Sequence, residues 1–466
     1  MTTIRPGSRR QFILGSTAVA GLSLAAPAIL RSGARAADAN LGPYQEAKIN
    51  WRQCEGEQLN VAIIPASFFK SLIARGAEFT ALTGIKVGFE EIPPGQIRNK
   101  TVLDLSSKTG TYSTSFTDPM YYPLYASNKW TEPLDDYIGD SALTDAKWYA
   151  IDDIVPAWRA ANSYEKKLYG MPFDGEATVQ VYRTDAYAAK GLKPAETLDE
   201  YTKNAAALND PGARMWGAAL RGFPGPGQNM YIYPSIFLAF GGKWFDANGK
   251  VKVNGPEAEA ALGWYIDLDN KYAPKGVENW NWPDIADAFS QGTLGSYIDG
   301  AATASVLADP TKSKVIGKMD FARWPAGPSG RRVTSIWNWG FVINAALPKK
   351  AKQATWLFIQ WATSAETQKR TSVVEGQAPR LGTSRLSVIK SPEYKKITDG
   401  VGPHFVQAYL DSMDHDTDAD WRPRVPQWPG VGETMSVAIQ QALSGQATPK
   451  AALDNAQVRI EQIMRG

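Results

Sequence analysis

The segment LYGMPFDGEATVQVY, residues 168–182, separates two stretches of alternating helix and strand patterns. It begins as a turn, marked by a glycine and a proline, and continues as a strand through Val179 and Val181. A chain of 466 residues exceeds what one hydrophobic core usually serves, so we expect two lobes. We interpret the segment as a hinge crossing, with Asp174 and Glu176 at the mouth of a cleft between the lobes.

The first 36 residues have the pattern of an export signal. SRRQFI, residues 8–13, is a twin-arginine motif, an apolar stretch follows over residues 13–30, and Ala34-Arg35-Ala36 is a cleavage site of the A-x-A type. We predict a Tat signal peptide over residues 1–36, cut before Ala37. Sec export of the same leader and a buried N-terminal helix are the alternative interpretations.

Loss of this leader changes the charge of the chain. The leader holds five arginines and no acidic residue, so Lys+Arg falls from 50 to 45 against 47 acids, and the net charge changes from +3 to −2. A basic nucleic-acid-binding surface is therefore not expected.

Cys54 is the only cysteine, which excludes a disulfide within the chain. A lipid-anchor cysteine would directly follow an apolar stretch, whereas Cys54 follows Trp51-Arg52-Gln53. We expect a periplasmic monomer that is soluble and not lipid-anchored.

The pattern of apolar residues predicts α/β structure. Residues 59–64 and 85–89 are strand-like and flank a helical pattern over residues 69–79, as in a parallel βαβ unit. Residues 112–122 predict another strand that ends in a loop. Thr197 and Asn254 each have the pattern of a helix N-cap, and two further helices are predicted over residues 348–361 and 448–464. In open α/β sheets ligands bind at the carboxyl ends of strands, which makes Ser67, Asp118 and Tyr121 candidate site residues.

Several motifs occur in an order that resembles the family 1 extracellular solute-binding proteins of bacterial ABC importers, especially those that bind carbohydrates. They are LYGMP (168–172), VYRTD (181–185), GLKP (191–194), GKVKVNGPEA (249–258), FSQGTLG (289–295) and WNWGFVI (337–343). In the last motif the double glycine typical of the family is reduced to Gly340, so the shape of the pocket can differ.

This resemblance implies a type II-like periplasmic-binding-protein fold, in which two α/β lobes joined by crossing strands close over a solute. Lobe 1 would comprise residues 37–175 with 295–342, and lobe 2 would comprise residues 176–294 with 343–466. The partners implied are a small carbohydrate or polyol and the membrane permease subunits of an ABC transporter.

A sugar or polyol presents hydroxyl groups, which carboxylates and amides bind, and apolar C–H faces, which aromatic rings cover. Residues of these types that fall in the predicted loops and crossing strands form our candidate ligand-binding site: Ser67, Asp118, Tyr121, Asp174, Glu176, Asp299, Trp337, Asn338, Trp339 and Arg380. The two tryptophans could instead belong to a packed core, and Asp174, Glu176 and Asp299 could lie in solvated turns. Arg380 could bind an anionic group of a ligand or lie on the surface.

No metal, cofactor or catalytic residue is expected. The acidic run around Asp414, Asp416 and Asp418 resembles a calcium loop, but Ala419 and Val425 stand where such a loop needs Gly and Glu. The chain contains neither an H-E-x-x-H nor a G-x-S-x-G motif. We therefore expect a non-enzymatic receptor for a sugar or polyol. The alternatives are the same role for an anionic sugar derivative or glycerol phosphate, and a secreted carbohydrate-active enzyme that uses two carboxylates.

Overall fold

The computed structural model describes residues 40–372, 380–418 and 420–465, without side-chain detail at positions 67, 68, 94 and 95. The predicted export signal, residues 1–36, lies outside the described residues. No helix in the described part of the chain combines the length and hydropathy that a membrane crossing requires.

Nine strands form in the described residues. They are β1 (Gln58–Ile63), β2 (Lys86–Glu91), β3 (Thr114–Thr117), β4 (Ser163–Tyr164), β5 (Lys167–Leu168), β6 (Met171–Arg183), β7 (Ser296–Gly300), β8 (Met319–Ala322) and β9 (Ile336–Phe341). Seven of them form one sheet in the order β2-β1-β3-β9-β6-β7, with β8 also paired to β6, while β4 and β5 form a separate hairpin. β1 pairs in parallel with β2 and β3, and the remaining pairs of the large sheet are antiparallel.

Helices pack against strands along the sheet, from β1 to β7. Those of eight or more residues are Ser67–Ala74, Gly76–Thr83, Pro94–Ser107, Leu198–Leu208, Asn229–Ala239, Pro256–Tyr272, Trp282–Ser290, Lys349–Thr363, Ala365–Ser372, Pro392–Asp399, Phe405–His415, Trp428–Leu443 and Pro449–Arg465. Shorter α-helices are Gly42–Gln45, Tyr122–Ser127, Asp135–Gly139, Ala146–Tyr149, Pro156–Ala161, Thr184–Ala189, Ala304–Leu307 and Leu386–Ile389.

The long strand β6 connects two hydrophobic cores. The first core contains buried side chains between Tyr44 and Phe173 together with those between Phe341 and Ala362. The second core contains mainly those between Ala177 and Trp337 and between Leu381 and Ile460. β6 therefore begins in the first core and ends in the second, pairing with β9 over its first half and with β7 and β8 over its second half.

Two segments of the chain belong to a different core from the one that the predicted lobes imply. Buried residues between 297 and 337 belong to the second core, and those between 343 and 362 belong to the first. The prediction placed residues 295–342 with the N-terminal lobe and residues 343–466 with the other. The difference arises because β7 and β8 pair with the C-terminal half of β6, whereas the helix Lys349–Thr363 packs against β1. The exact lobe boundaries stay a prediction.

The predicted βαβ unit is confirmed, since β1 and β2 are parallel neighbours with helices between them. The N-cap at Thr197 is also confirmed, because its Oγ1 accepts a hydrogen bond of 3.1 Å from the Glu200 amide. The N-cap at Asn254 is wrong: Gly255 caps that helix, and the Asn254 side chain donates instead to Asp454 Oδ1 at 2.8 Å.

Candidate functional site

A cavity of about 400 Å³ lies where β6 and β9 pass between the two cores. Its wall comes from the carboxyl end of β1, from β6 and β9, from the segment after β7, and from two loops. Its charged, polar and aromatic lining residues include Arg98, Asp174, Glu176, Arg221, Gln228, Tyr231, Trp337, Trp339 and Arg380.

Asp174, on β6, forms a buried ion pair at the cavity wall. The Arg380 Nε donates to Asp174 Oδ2 at 2.7 Å, and Arg380 Nη1 donates to Thr371 Oγ1 at 2.8 Å. Burial raises the pKa of Asp174 to about 6, against the opposing effect of Arg380. The pair is therefore held in place by the fold at a considerable desolvation cost.

Glu176, two residues along β6, lies on the same side of the strand as Asp174. Its Oε2 accepts a hydrogen bond of 3.0 Å from the Ala302 amide, directly after β7. Burial raises the pKa of Glu176 to about 7, and the nearby Asp299 carboxylate adds to this effect while Arg221 opposes it. Near neutral pH this carboxyl group can both donate and accept hydrogen bonds.

Arg221 pairs with Asp299 on the neighbouring strand β7. Its Nε donates to Asp299 Oδ2 at 2.8 Å, and a second bond joins Nη2 to Oδ1, so the pair is bidentate. The guanidinium also lies 4.6 Å from the ring centroid of Tyr231. Asp299 is fully buried behind the arginine, which leaves Arg221 as the member of the pair that reaches the cavity.

A third ion pair, between Arg98 and Asp118, lies at another part of the wall. Arg98 Nε donates to Asp118 Oδ2 at 2.8 Å, and its guanidinium lies 5.7 Å from the ring centroid of Trp337 and 5.4 Å from that of Trp339. Here too the arginine lines the cavity and the carboxylate lies behind it.

Aromatic rings supply the apolar part of the wall. Trp337 and Trp339 meet edge to face with ring centroids 5.6 Å apart, and Trp339 stacks on Phe116 at 4.9 Å. Two polar atoms beside them, Tyr231 Oη and Gln228 Oε1, have no hydrogen-bond partner within the described residues. The cavity wall thus combines flat apolar surfaces with the polar residues Tyr231 and Gln228.

The structure brings together five of the ten predicted site residues at the cavity wall: Asp174, Glu176, Trp337, Trp339 and Arg380. Asp118 and Asp299 support arginines of the wall and do not line the cavity themselves. The Asn338 side chain donates to the Trp158 carbonyl at 3.2 Å, and Tyr121 packs on Tyr125 with ring centroids 5.7 Å apart. Ser67 begins the helix Ser67–Ala74, without a described side chain.

Sequence reasoning did not select Arg98 or Tyr231 as site residues. Arg98 follows the carboxyl end of β2, in the first turn or two of the helix Pro94–Ser107, and the strand-end rule could have found it. Tyr231 lies in the helix Asn229–Ala239, every residue of which is buried, so no pattern in that segment distinguishes a cavity residue from a core residue.

The acidic run after residue 411 is explained by ion pairs. Asp416 accepts a hydrogen bond of 2.9 Å from Arg323 Nε, and Asp418 pairs with Arg331 at 2.7 Å. Among the described residues, no cluster of three or more His, Cys, Asp or Glu could hold a metal ion.

Two cores joined by crossing strands, with one polar and aromatic cavity at the crossing, define a protein built to enclose a small ligand. The chain belongs to the bacterial extracellular solute-binding protein family, which it matches over residues 63–369. It is a solute-binding protein of the ABC transporter class, and proteins of this family bind their solutes without catalysis.

Individual relatives agree with this assignment. The mannitol-binding protein of Pseudomonas aeruginosa is 27% identical over 385 residues, which cover 79% of this chain and 84% of that protein. A solute-binding protein of Agrobacterium radiobacter in complex with ribitol has a TM-score of 0.78 and 27% identity, covering 88% of this chain and 99% of that chain. A protein of Agrobacterium vitis with bound D-mannitol has a TM-score of 0.76 and 28% identity over the same shares. The predicted α/β periplasmic-binding-protein fold is thereby confirmed.

Proposed function

We propose that this protein captures a neutral, acyclic polyol in the cavity around Asp174, Glu176, Arg221 and Arg380, and delivers it to the permease subunits of an ABC transporter. The cavity has the size of a site for one small molecule. Guanidinium groups donate to ligand hydroxyls, carboxylates accept from them, and the two tryptophans cover C–H faces.

The balance of charge around the cavity carries the choice of a neutral solute. Three arginines among the described residues line it, and each is paired with its own carboxylate: Arg98 with Asp118, Arg221 with Asp299, and Arg380 with Asp174. Each arginine described at this wall therefore already has a carboxylate partner, and Glu176 adds a further acidic group. An unpaired positive charge for a phosphate or carboxylate of a ligand is thus missing from the described wall. This argues against an anionic sugar derivative or glycerol phosphate.

The similarity to mannitol-binding and ribitol-complexed proteins supports an acyclic solute. Tyr231 and Gln228, which belong to the cavity lining, support a solute with several hydroxyl groups, because a phenol can donate to a hydroxyl and an amide oxygen can accept from one.

The test is a thermal-shift and calorimetric comparison of the exported protein with mannitol, ribitol and erythritol, and with mannitol 1-phosphate, gluconate and maltose. A neutral polyol at about 100 times its Kd should stabilise the protein by about 2.7 kcal/mol, and it should be recovered unchanged. Stabilisation by the phosphate or the sugar acid alone would overturn the choice of a neutral solute. Recovery of a cleaved ligand would overturn the receptor role.

Tat export to the periplasm is part of this proposal, supported by the twin-arginine motif and the A-x-A site in residues 1–36. Mass spectrometry of the exported protein should give an N-terminus at Ala37. Replacement of Arg9 and Arg10 by lysine should retain the chain in the cytoplasm with its leader intact. Normal export of that variant would favour the Sec route.

A further inference from the structure

A second, smaller cavity of about 80 Å³ shares no lining residue with the solute cavity. One side is formed by Pro119, Met120 and Pro123, which follow β3, and by the helix Pro156–Ala161. The opposite side is formed by Thr417, by residues 421–424 and by Trp428. The volume of this cavity is one fifth of that of the solute cavity. It therefore suits an ion far better than a sugar alcohol.

Arg422 is the unusual residue of this second cavity. Its side chain is only 5% exposed, and its guanidinium lies 4.0 Å from the ring centroid of Trp421, 5.0 Å from that of Trp337 and 5.9 Å from that of Trp428. Its Nη1 has no hydrogen-bond partner within residues 40–372, 380–418 and 420–465. This differs from Arg98, Arg221 and Arg380, each of which has a carboxylate partner.

The surroundings do not compensate the charge of Arg422. Asp118 acts on it electrostatically, but that carboxylate already accepts hydrogen bonds from Arg98 at 2.8 Å and from the Met120 amide at 3.2 Å. Burial lowers the pKa of Arg422 to about 9. Arg424, the other charged residue of the lining, donates to the Ala160 carbonyl at 2.8 Å and adds a second positive charge. None of the described residues that line this cavity carries a carboxylate.

We propose that the cavity at Arg422 is a binding site for a small monovalent anion, chloride or a carboxylate of the size of formate. A buried, positively charged donor that lacks a partner needs an acceptor with negative charge, and weakly hydrated anions suit a wall made mainly of proline, alanine and tryptophan. The anion would join the segment after β3 to the segment before the helix Trp428–Leu443. It would also fix Arg422 against Trp337, whose ring lines the solute cavity.

The first test measures stability and tryptophan fluorescence of the intact protein at constant ionic strength, with sodium chloride, bromide or formate replacing sodium glutamate, whose anion is too large for the cavity. Each small anion should raise the Tm with a saturating dependence, and bromide should quench tryptophan fluorescence with the same midpoint. Arg422→Gln should abolish both responses, while Arg214→Gln, at an exposed arginine, should keep them. A linear response, or an equal response in Arg422→Gln, would overturn the proposal.

A second test needs no variant. Crystals of the wild-type protein grown in sodium bromide should give an anomalous peak within hydrogen-bond distance of the Arg422 guanidinium. Bromide peaks on the surface alone, with water in the cavity, would overturn the proposal even if Arg422→Gln fails to fold.

Discussion

The Nε of Arg380 lies 2.7 Å from Oδ2 of Asp174, although the two residues are 206 positions apart in the chain. This pair fixes the segment after residue 379 to the strand that connects the two cores. Both side chains are almost fully buried, so neither charge can be satisfied by water if its partner is removed.

Breaking this pair from either side should destabilise the protein. At pH 8, we expect Arg380→Met and Asp174→Asn each to lower the free energy of unfolding by about 3–5 kcal/mol, because each leaves a buried charge without a partner. In urea unfolding, the double variant should lose less than the sum of the two. Lys203→Met is the control: its pair with Asp199 is exposed on both sides, and its loss should change the stability little. An equal effect of both kinds of variant would contradict the prediction.

Glu176 should make the stability depend on pH. Its pKa is about 7 in the folded protein against an ordinary value of 4.5, so the folded state holds the proton more tightly. The associated stabilisation is complete below pH 4.5 and is lost as the pH rises through 7. Asp174, with a pKa raised to about 6, acts in the same direction.

The measurement is urea unfolding at pH 5, 6.5 and 8. The wild type should lose stability across this range, and Glu176→Gln should reduce the loss by on the order of 1–2 kcal/mol, because glutamine carries no charge at any of these pH values. Glu46→Gln, at an exposed position, should keep the wild-type profile. A wild-type stability that rises from pH 5 to pH 8, with no change in Glu176→Gln, would refute the assignment.

The local part of the fold follows directly from the sequence. Apolar alternation at Leu59–Ile63 and the glycine at position 84 are signals within about 30 residues of each other, and they were enough to place β1, β2 and the helices between them. Asp174 and Glu176 could likewise be selected, because they are the acidic residues of the segment that we interpret as the hinge crossing.

The pairing of the charged groups around the cavity could not be found in the same way. Arg221 and Asp299 are separated by 78 residues, and only the pairing of β6 with β7 brings Asp299 beside the cavity. The grouping of the segments around 297–337 and 343–362 into cores depends on the same long-range pairing, which no local pattern encodes. The prediction of an N-cap at Asn254 was wrong for a related reason, since its side chain donates a hydrogen bond to the distant Asp454.

Gly300, at the end of β7, should be required for the position of Glu176. A Cβ atom there would overlap the Glu176 carboxylate, so Gly300→Ala must displace it from the Ala302 amide. We expect solute affinity to fall at least tenfold, about 1.4 kcal/mol, in calorimetric titrations. Gly263→Ala is the control, because its Cβ meets nothing within 4 Å in the helix Pro256–Tyr272 and should keep the affinity with equal or higher stability. Unchanged affinity in Gly300→Ala would show that the position of Glu176 does not matter for solute binding.

Trp339 should contribute to binding through its ring face. It stacks on Phe116 at 4.9 Å and lines the solute cavity, so a polyol carbon chain can pack against it. We expect Trp339→Ala to weaken solute binding about 10- to 100-fold, whereas Trp339→Phe should recover part of the affinity because it keeps an aromatic surface. Trp264→Ala is the matched control, since that half-buried tryptophan packs beside Thr202, away from the cavity, and its loss should lower the Tm without changing the Kd. If Trp339→Ala and Trp264→Ala change the Kd equally, the aromatic wall serves the fold and not the solute.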